Sequence, residues 1–299
     1  ALPILMKNYL LILFMAISIS LISQSKSPDL QQLTLNQKFD SIKKKYSDTA
    51  LTDKLIQIAK VEEKNNPTVS KIWINKADSL IKTFKNPSNK HKIAILLAKS
   101  RVESNTNNLD SAYSLVNDAL AIGIKSLDSL LIANCFGELG IVCCKKNRHP
   151  EAIHYSSMAI RIYEKYQLKA EISQLNNLIG IVYQSIADYE KSLEYFLKSL
   201  RYAQETNDTV ALSRSYNNLG AIYRLLGNFD ESIKYSNLSL AIKEKQNDKS
   251  GISSNLSNIG GVYFDKGDFH KAIEYSQKSY QINQEINNIG GILTNYYNI

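Results

Sequence analysis

Proline and glycine are scarce, five and twelve in 299 residues. A loop-rich β protein needs more turn formers than that, so the chain reads as helical. One tryptophan stands against eighteen tyrosines, an imbalance that needs a structural cause. Cysteine is confined to Cys135, Cys143 and Cys144. On one helix, positions 143 and 144 point to different faces and 135 lies more than two turns from 143, beyond disulfide reach. With no second cysteine pair and no nearby histidine set, the spacing is poor for zinc. Free buried thiols are expected. His91, His149, His154 and His270 form no His-Glu-x-x-His set, and no phosphate loop or Gly-x-Ser-x-Gly elbow occurs. No catalysis, cofactor or metal is expected of this region.

A membrane-spanning run of about twenty apolar residues is also missing. The apolar run that is present, from Tyr9 to Ile17, is shorter. It follows Met6-Lys7-Asn8 and leads to Ser23-Gln24-Ser25, a small-x-small exit. A basic start, a short apolar stretch and such an exit describe a secretory leader over residues 1–25, with Met6 as the better initiator. The chain is therefore expected to be exported, periplasmic or anchored facing the periplasm, with an uncleaved leader as one route to membrane attachment. Charge is uneven: residues 26–110 carry 16 Lys and Arg against 9 Asp and Glu, and residues 111–299 carry 19 of each. The lysines are dispersed and no nucleic-acid motif accompanies them, so an acidic protein or anionic surface fits better than nucleic acid.

Four segments repeat: Gly137–Cys143, Asn177–Tyr183, Asn217–Tyr223 and Ser257–Tyr263, with central glycines 140, 180, 220 and 260 at 40-residue spacing. A second block follows each, Glu151–Tyr155, Lys191–Tyr195, Glu231–Tyr235 and Lys271–Tyr275. Apolar residues at three and four spacing, as in Leu212, Tyr216, Leu219, Ile222, Tyr223 and Leu226, make each unit two helices. Gly227-Asn228 and Gly267-Asp268 separate them, and the second helix is expected from Phe229 to Lys245. A mid-helix glycine costs about 1 kcal/mol against alanine. Its fourfold recurrence implies close packing, against the small residues at 152, 192, 232 and 272. The tyrosines at 183, 223 and 263 are expected to fill the volume between units, which would explain their excess.

Gly260, Tyr263, Gly267-Asp268-Phe269 and Ala272-Ile273-Glu274-Tyr275 resemble the tetratricopeptide repeat. The period is 40 rather than the usual 34, lengthening each helix by about a turn. Cys143 stands in the tyrosine slot and Asn147-Arg148-His149-Pro150 replaces the Gly-Asp-Phe turn. The expected organisation is a leader at 1–25, a linker or partial helix at 26–47, two degenerate units at 48–127, four clear units at 128–287 and a broken seventh at 288–299. Asn295–Ile299 aligns with Asn255–Ile259, so the sequence is read as the N-terminal part of a longer protein.

The resemblance implies an all-α, right-handed superhelical solenoid of antiparallel helix pairs that binds proteins or peptides without catalysis. It implies a groove lined by Asn134, Gly137 and Cys144, then Gln174, Asn177 and Gln184, then Arg214, Asn217 and Arg224, then Ser254, Ser257 and Phe264. Arg214 and Arg224 lie near three turns apart on one helix and are expected to share a face, able to hold a carboxylate. A leader followed by such repeats is similar to the extracytoplasmic sensor half of bacterial histidine kinases or regulators. A free exported scaffold that assembles partners is the alternative, and a fusion to an absent catalytic part a third.

Overall fold

The computed structural model describes residues 28–63 and 66–298; the leader lies outside them. Among the described residues there are fourteen α-helices and no strand. They are α1 (Pro28–Lys43), α2 (Asp48–Glu62), α3 (Pro67–Lys82), α4 (Asn89–Asn105), α5 (Leu109–Ser126), α6 (Ser129–Lys145) and α7 (His149–Lys165). There follow α8 (Lys169–Ser185), α9 (Tyr189–Glu205), α10 (Thr209–Leu225), α11 (Phe229–Lys245), α12 (Lys249–Asp265), α13 (Phe269–Glu285) and α14 (Ile289–Asn298). None is long and apolar enough to cross a membrane. The chain divides after Lys54 into two compact units. The first contains α1 and the start of α2, where Thr52 donates its hydroxyl to the Asp48 carbonyl at 2.9 Å. The second begins at Leu55 and holds the repeats.

From α4 on, each helix begins 20 residues after the last. The joints share that period, with a left-handed residue at 107, 127, 147, 167, 187, 207, 227, 247, 267 and 287. At each joint from 147 to 287 the next residue's N–H reaches back five positions, as from Asp188 to the Tyr183 carbonyl at 3.0 Å. The left-handed residue itself bonds three back, as Gly227 does to Arg224 at 3.0 Å. This pair of bonds closes the exposed carbonyls at a helix end. Next comes the cap: Asp188, Asp208, Asn228, Asp248 and Asp268 accept backbone N–H groups of the following helix. So the expected second helix from Phe229 to Lys245 is found, and one joint geometry serves both within and between hairpins.

Glycine or asparagine takes the left-handed conformation readily, whereas alanine does so at a cost of about 1–2 kcal/mol. Ala187 sits at φ 60° where Gly227 and Gly267 occupy the equivalent turn. Ala187→Gly is expected to raise stability by about 1 kcal/mol, read as an upward shift in the urea midpoint at unchanged slope. A lower midpoint would mean that the alanine methyl makes a compensating contact.

Within hairpins, the central glycines allow the first helix to meet the second. A Cβ at Gly220 would lie 2.6 Å from Ser236 Oγ and 3.3 Å from the Ser232 carbonyl, and one at Gly260 3.3 Å from the Ala272 carbonyl. The small residue at the crossing also bonds the glycine: Ser192 and Ser232 donate to the Gly180 and Gly220 carbonyls at 2.9 and 2.7 Å. The tyrosines of each hairpin stack on one another, Tyr183 on Tyr195, Tyr223 on Tyr235 and Tyr263 on Tyr275, with centroids 5.4–5.5 Å apart. Tyr223 and Tyr235 also pack on the cluster of Phe196, Leu200, Leu219 and Ile222, which joins α9 to α10 across two units. Buried serines add a hydroxyl line: Ser199 lies 3.2 Å from Ser173 and 3.1 Å from Ser215, bridging α8 and α10.

Candidate functional site

Successive first helices (α4, α6, α8, α10, α12) touch one another along the array, and successive second helices do so less. The first helices therefore form the inner wall of the curvature, the wall on which the groove residues were expected. Two open cavities lie along it. One, of about 440 Å³, is walled by α2, α4, α6 and α8 and includes Asn134 and Gln174. The other, of about 410 Å³, lies around α10 and α12 and includes Gln184 and Arg224.

The remaining expected residues lie elsewhere or are engaged. Asn177 is buried, and its Oδ1 accepts from Asn218 Nδ2 at 2.7 Å; Asn217 Oδ1 accepts in the same way from Asn258 at 3.1 Å. These amide rungs tie consecutive first helices together, so the asparagines hold the wall as well as lining it. Arg224 Nε donates to Asp265 at 2.6 Å, a third rung of the same kind. The two arginines are thus unlike: Arg214 is exposed and makes no ion pair, whereas Arg224 already holds a carboxylate of its own chain. Ser257 bonds Ser279 at 2.9 Å and accepts from Asn295 Nδ2 at 2.9 Å. Ser254 and Phe264 are exposed, and Phe264 meets Phe269 edge-on at the α12–α13 turn. Gly137 lines the larger cavity, and Cys144 is half-buried beside Cys143 and Ala152.

The larger cavity brings Arg101, Glu138 and Glu171 together. Arg101 of α4 sits at its centre, donating from Nε to Glu63 at 3.0 Å and from Nη1 to Glu138 at 3.4 Å. Glu138 is nine-tenths buried on α6, and its Oε1 has no hydrogen-bond partner. Burial pushes the Glu138 carboxyl above the ordinary glutamate range, against the opposing pull of Arg101. Asn134 Oδ1 accepts from Tyr163 OH at 2.8 Å, and burial raises that phenol too. Lys60, Lys90, Glu171 and Gln174 add polar groups to a lining that is otherwise largely apolar, the lysines and Gln174 exposed. Sequence reasoning found Asn134 and Gln174 here. It missed Arg101 and Glu138, though a glutamate three residues from Cys135 on an otherwise apolar helix was a visible anomaly.

Cys135 and Cys143 are buried free thiols, pushed up to about 12 and about 11 by loss of water; Cys144 is only half-buried. Thiols so raised carry almost no thiolate at neutral pH and are poor nucleophiles. Among the described residues no group of three or more His, Cys, Asp and Glu side chains is placed to hold a metal.

Family profiles described as tetratricopeptide repeat match residues 171–245 and 254–286. No curated protein sequence matches the chain. Several solved structures share its fold. A Rap protein complexed with competence and sporulation factor aligns at a TM-score of 0.67 and 16% identity, over 89% of this chain and 75% of that one. Aspartyl phosphate phosphatase F from Bacillus subtilis aligns at 0.66 and 16%, over 91% and 73%. The apo quorum sensor NprR from B. thuringiensis aligns at 0.62 and 14%, over 86% and 71%. Regular 20-residue helix spacing, glycine crossings and matching profiles agree: residues 171–286 carry tetratricopeptide repeats, set in an all-α solenoid of antiparallel helix pairs.

Proposed function

We propose that the chain is a protein- or peptide-binding scaffold, serving as the extracytoplasmic sensor or interaction region of a larger bacterial signalling protein. The observation that carries the binding reading is the inner-wall cavity of about 440 Å³ in which Lys60, Lys90 and Gln174 make no hydrogen bond or ion pair among the described residues. Asn177, Asn217, Arg224 and Ser257 are committed to rungs between units; these three are left for something else. A cavity of this size with a few unspent polar groups on rigid helices suits a ligand rather than a packed core. The Rap protein carrying a bound factor and the quorum sensor among the structural neighbours support a sensing role for this fold. The exported location rests on the composition of residues 6–25.

Panning random dodecapeptides against the folded chain, then titrating the selected ones by calorimetry, tests the binding reading. Gln174→Ala or Arg214→Ala is expected to weaken binding at least tenfold; Arg224→Ala is a poorer probe because it also breaks the Asp265 rung. Affinity unchanged by every inner-wall substitution would remove the groove from the mechanism. Fusion of residues 1–30 to a reporter active only outside the cytoplasm tests export, and an inactive fusion would leave a binding scaffold without the extracytoplasmic role.

A further inference from the structure

The cavity between α2 and α8 is electrically divided along the array. Its positive side comes from the earlier helices, Lys60 on α2 with Lys90 and Arg101 on α4. Its negative side comes from the later ones, Glu138 on α6 and Glu171 on α8. The single link between the sides is the Arg101–Glu138 contact at 3.4 Å, the longer of the two that Arg101 makes. Glu138 therefore keeps one carboxylate oxygen with no donor while nine-tenths buried. Buried carboxylates are held by two or more donors in settled structures, and an orphaned oxygen costs about 1–3 kcal/mol. No described residue supplies that donor. At the opposite side, Lys60 and Lys90 are exposed and make no ion pair among the described residues.

We propose that this cavity takes a short peptide segment presenting an ammonium to Glu138 and Glu171 and a carboxylate to Lys60, Lys90 and Arg101, an assignment that rests on the scaffold reading and specifies its ligand. Adjacent packed helices lie about 8–10 Å apart, so α4 and α8, two steps apart in the row of first helices, are bridged by about five extended residues at ~3.5 Å each. A wholly acidic ligand would meet Glu138 and Glu171, and a wholly basic one Lys60, Lys90 and Arg101. Only a dipolar segment satisfies both sides, and like-charge contact with the wrong ligand supplies the selectivity. The ends of a free peptide and the side chains of a terminal Lys and Asp carry the same chemistry.

Three pentapeptide pools separate these sources: free ends with neutral side chains, blocked ends with Lys first and Asp last, and blocked ends with neutral side chains. Retention on the full chain is measured by affinity selection and mass spectrometry. At least one charged pool is expected to be retained at least tenfold over the blocked neutral pool. Retention of the first alone identifies a peptide with free termini, and of the second alone an internal segment of a protein. Glu171→Gln, at a half-buried site, is expected to reduce the discrimination at least fivefold. Glu138→Gln is expected to abolish it with helix content unchanged by circular dichroism. Equal retention of all three pools overturns the divided cavity. If the dodecapeptides of the scaffold test still bind, that reading survives the loss; if no pool and no dodecapeptide binds, both fail together.

Discussion

Arg101→Met is expected to destabilise the array by about 3–5 kcal/mol at neutral pH, the largest effect of any single charge removal. Arg101 is three-quarters buried and neutralises two carboxylates, Glu63 just past the end of α2 and Glu138 of α6. Removing one partner of a buried pair leaves the other's desolvation uncompensated. The loss is expected to depend on pH, and the direction follows from Glu138. Its folded-state pKa lies above the ordinary glutamate value of about 4.3. A carboxyl raised in this way supports the fold fully below the unfolded value, and that support disappears as pH rises through the folded one. Without Arg101 the group is raised further, so the penalty of Arg101→Met is expected to shrink toward pH 4 and to be full at pH 7. Glu138→Gln in the same background should remove most of that pH dependence. Urea denaturation of the three proteins at both pH values measures this. Equal destabilisation at pH 4 and 7 would show that Arg101 acts through its aliphatic stem rather than its charge.

Phe196→Ala is expected to cost about 3–5 kcal/mol and to reverse the effect of alanine at Gly180. Phe196 is fully buried on α9, among Leu200, Leu219 and Ile222. A Cβ added at Gly180 would lie 2.6 Å from two of its ring carbons. Overpacking of that kind costs about 1–3 kcal/mol, against about 1 kcal/mol gained from replacing a helical glycine. Gly180→Ala alone should therefore destabilise. With the ring gone, the methyl enters vacated space and only the helical gain remains, so Gly180→Ala should stabilise the Phe196→Ala protein. A double-mutant cycle is expected to show coupling of about 1–3 kcal/mol. Additive effects would mean that α8 and α9 separate to relieve the clash rather than resist it. The neighbouring units supply a comparison: Ser236 and Ser276 occupy the position of Phe196, and Gly260→Ala meets its nearest atoms at only 3.3 Å, so it should be the mildest of the series.

Helix order, the 40-residue unit, the caps at Asn228 and Asp268 and the glycine–small residue crossing were all legible in the sequence. Each depends on residues within one hairpin, where chain connectivity fixes who meets whom. The tyrosines were half legible: their excess was rightly structural, but they stack first on the tyrosine of their own hairpin and only then against the next unit. The inner wall was legible as a set of positions and not as a set of free groups. Asn177, Asn217, Arg224 and Ser257 looked available because their partners, Asn218, Asn258, Asp265 and Asn295, lie 38–41 residues away on the next first helix. No local pattern distinguishes a polar residue that awaits a ligand from one that bonds the neighbouring unit.

By itself, the sequence determined the repeat, its helices and the turns between them, because propensity, capping and close packing act over a few residues or one hairpin. Only the tertiary structure decided which charges are spent. Stacking brings Arg101 of α4 between Glu63 and Glu138, leaves one oxygen of Glu138 unsatisfied, and holds Lys60 and Lys90 clear of any partner among the described residues. Such pairing depends on how far one hairpin is rotated and displaced on the next, a quantity set by packing across units and written in no single one of them.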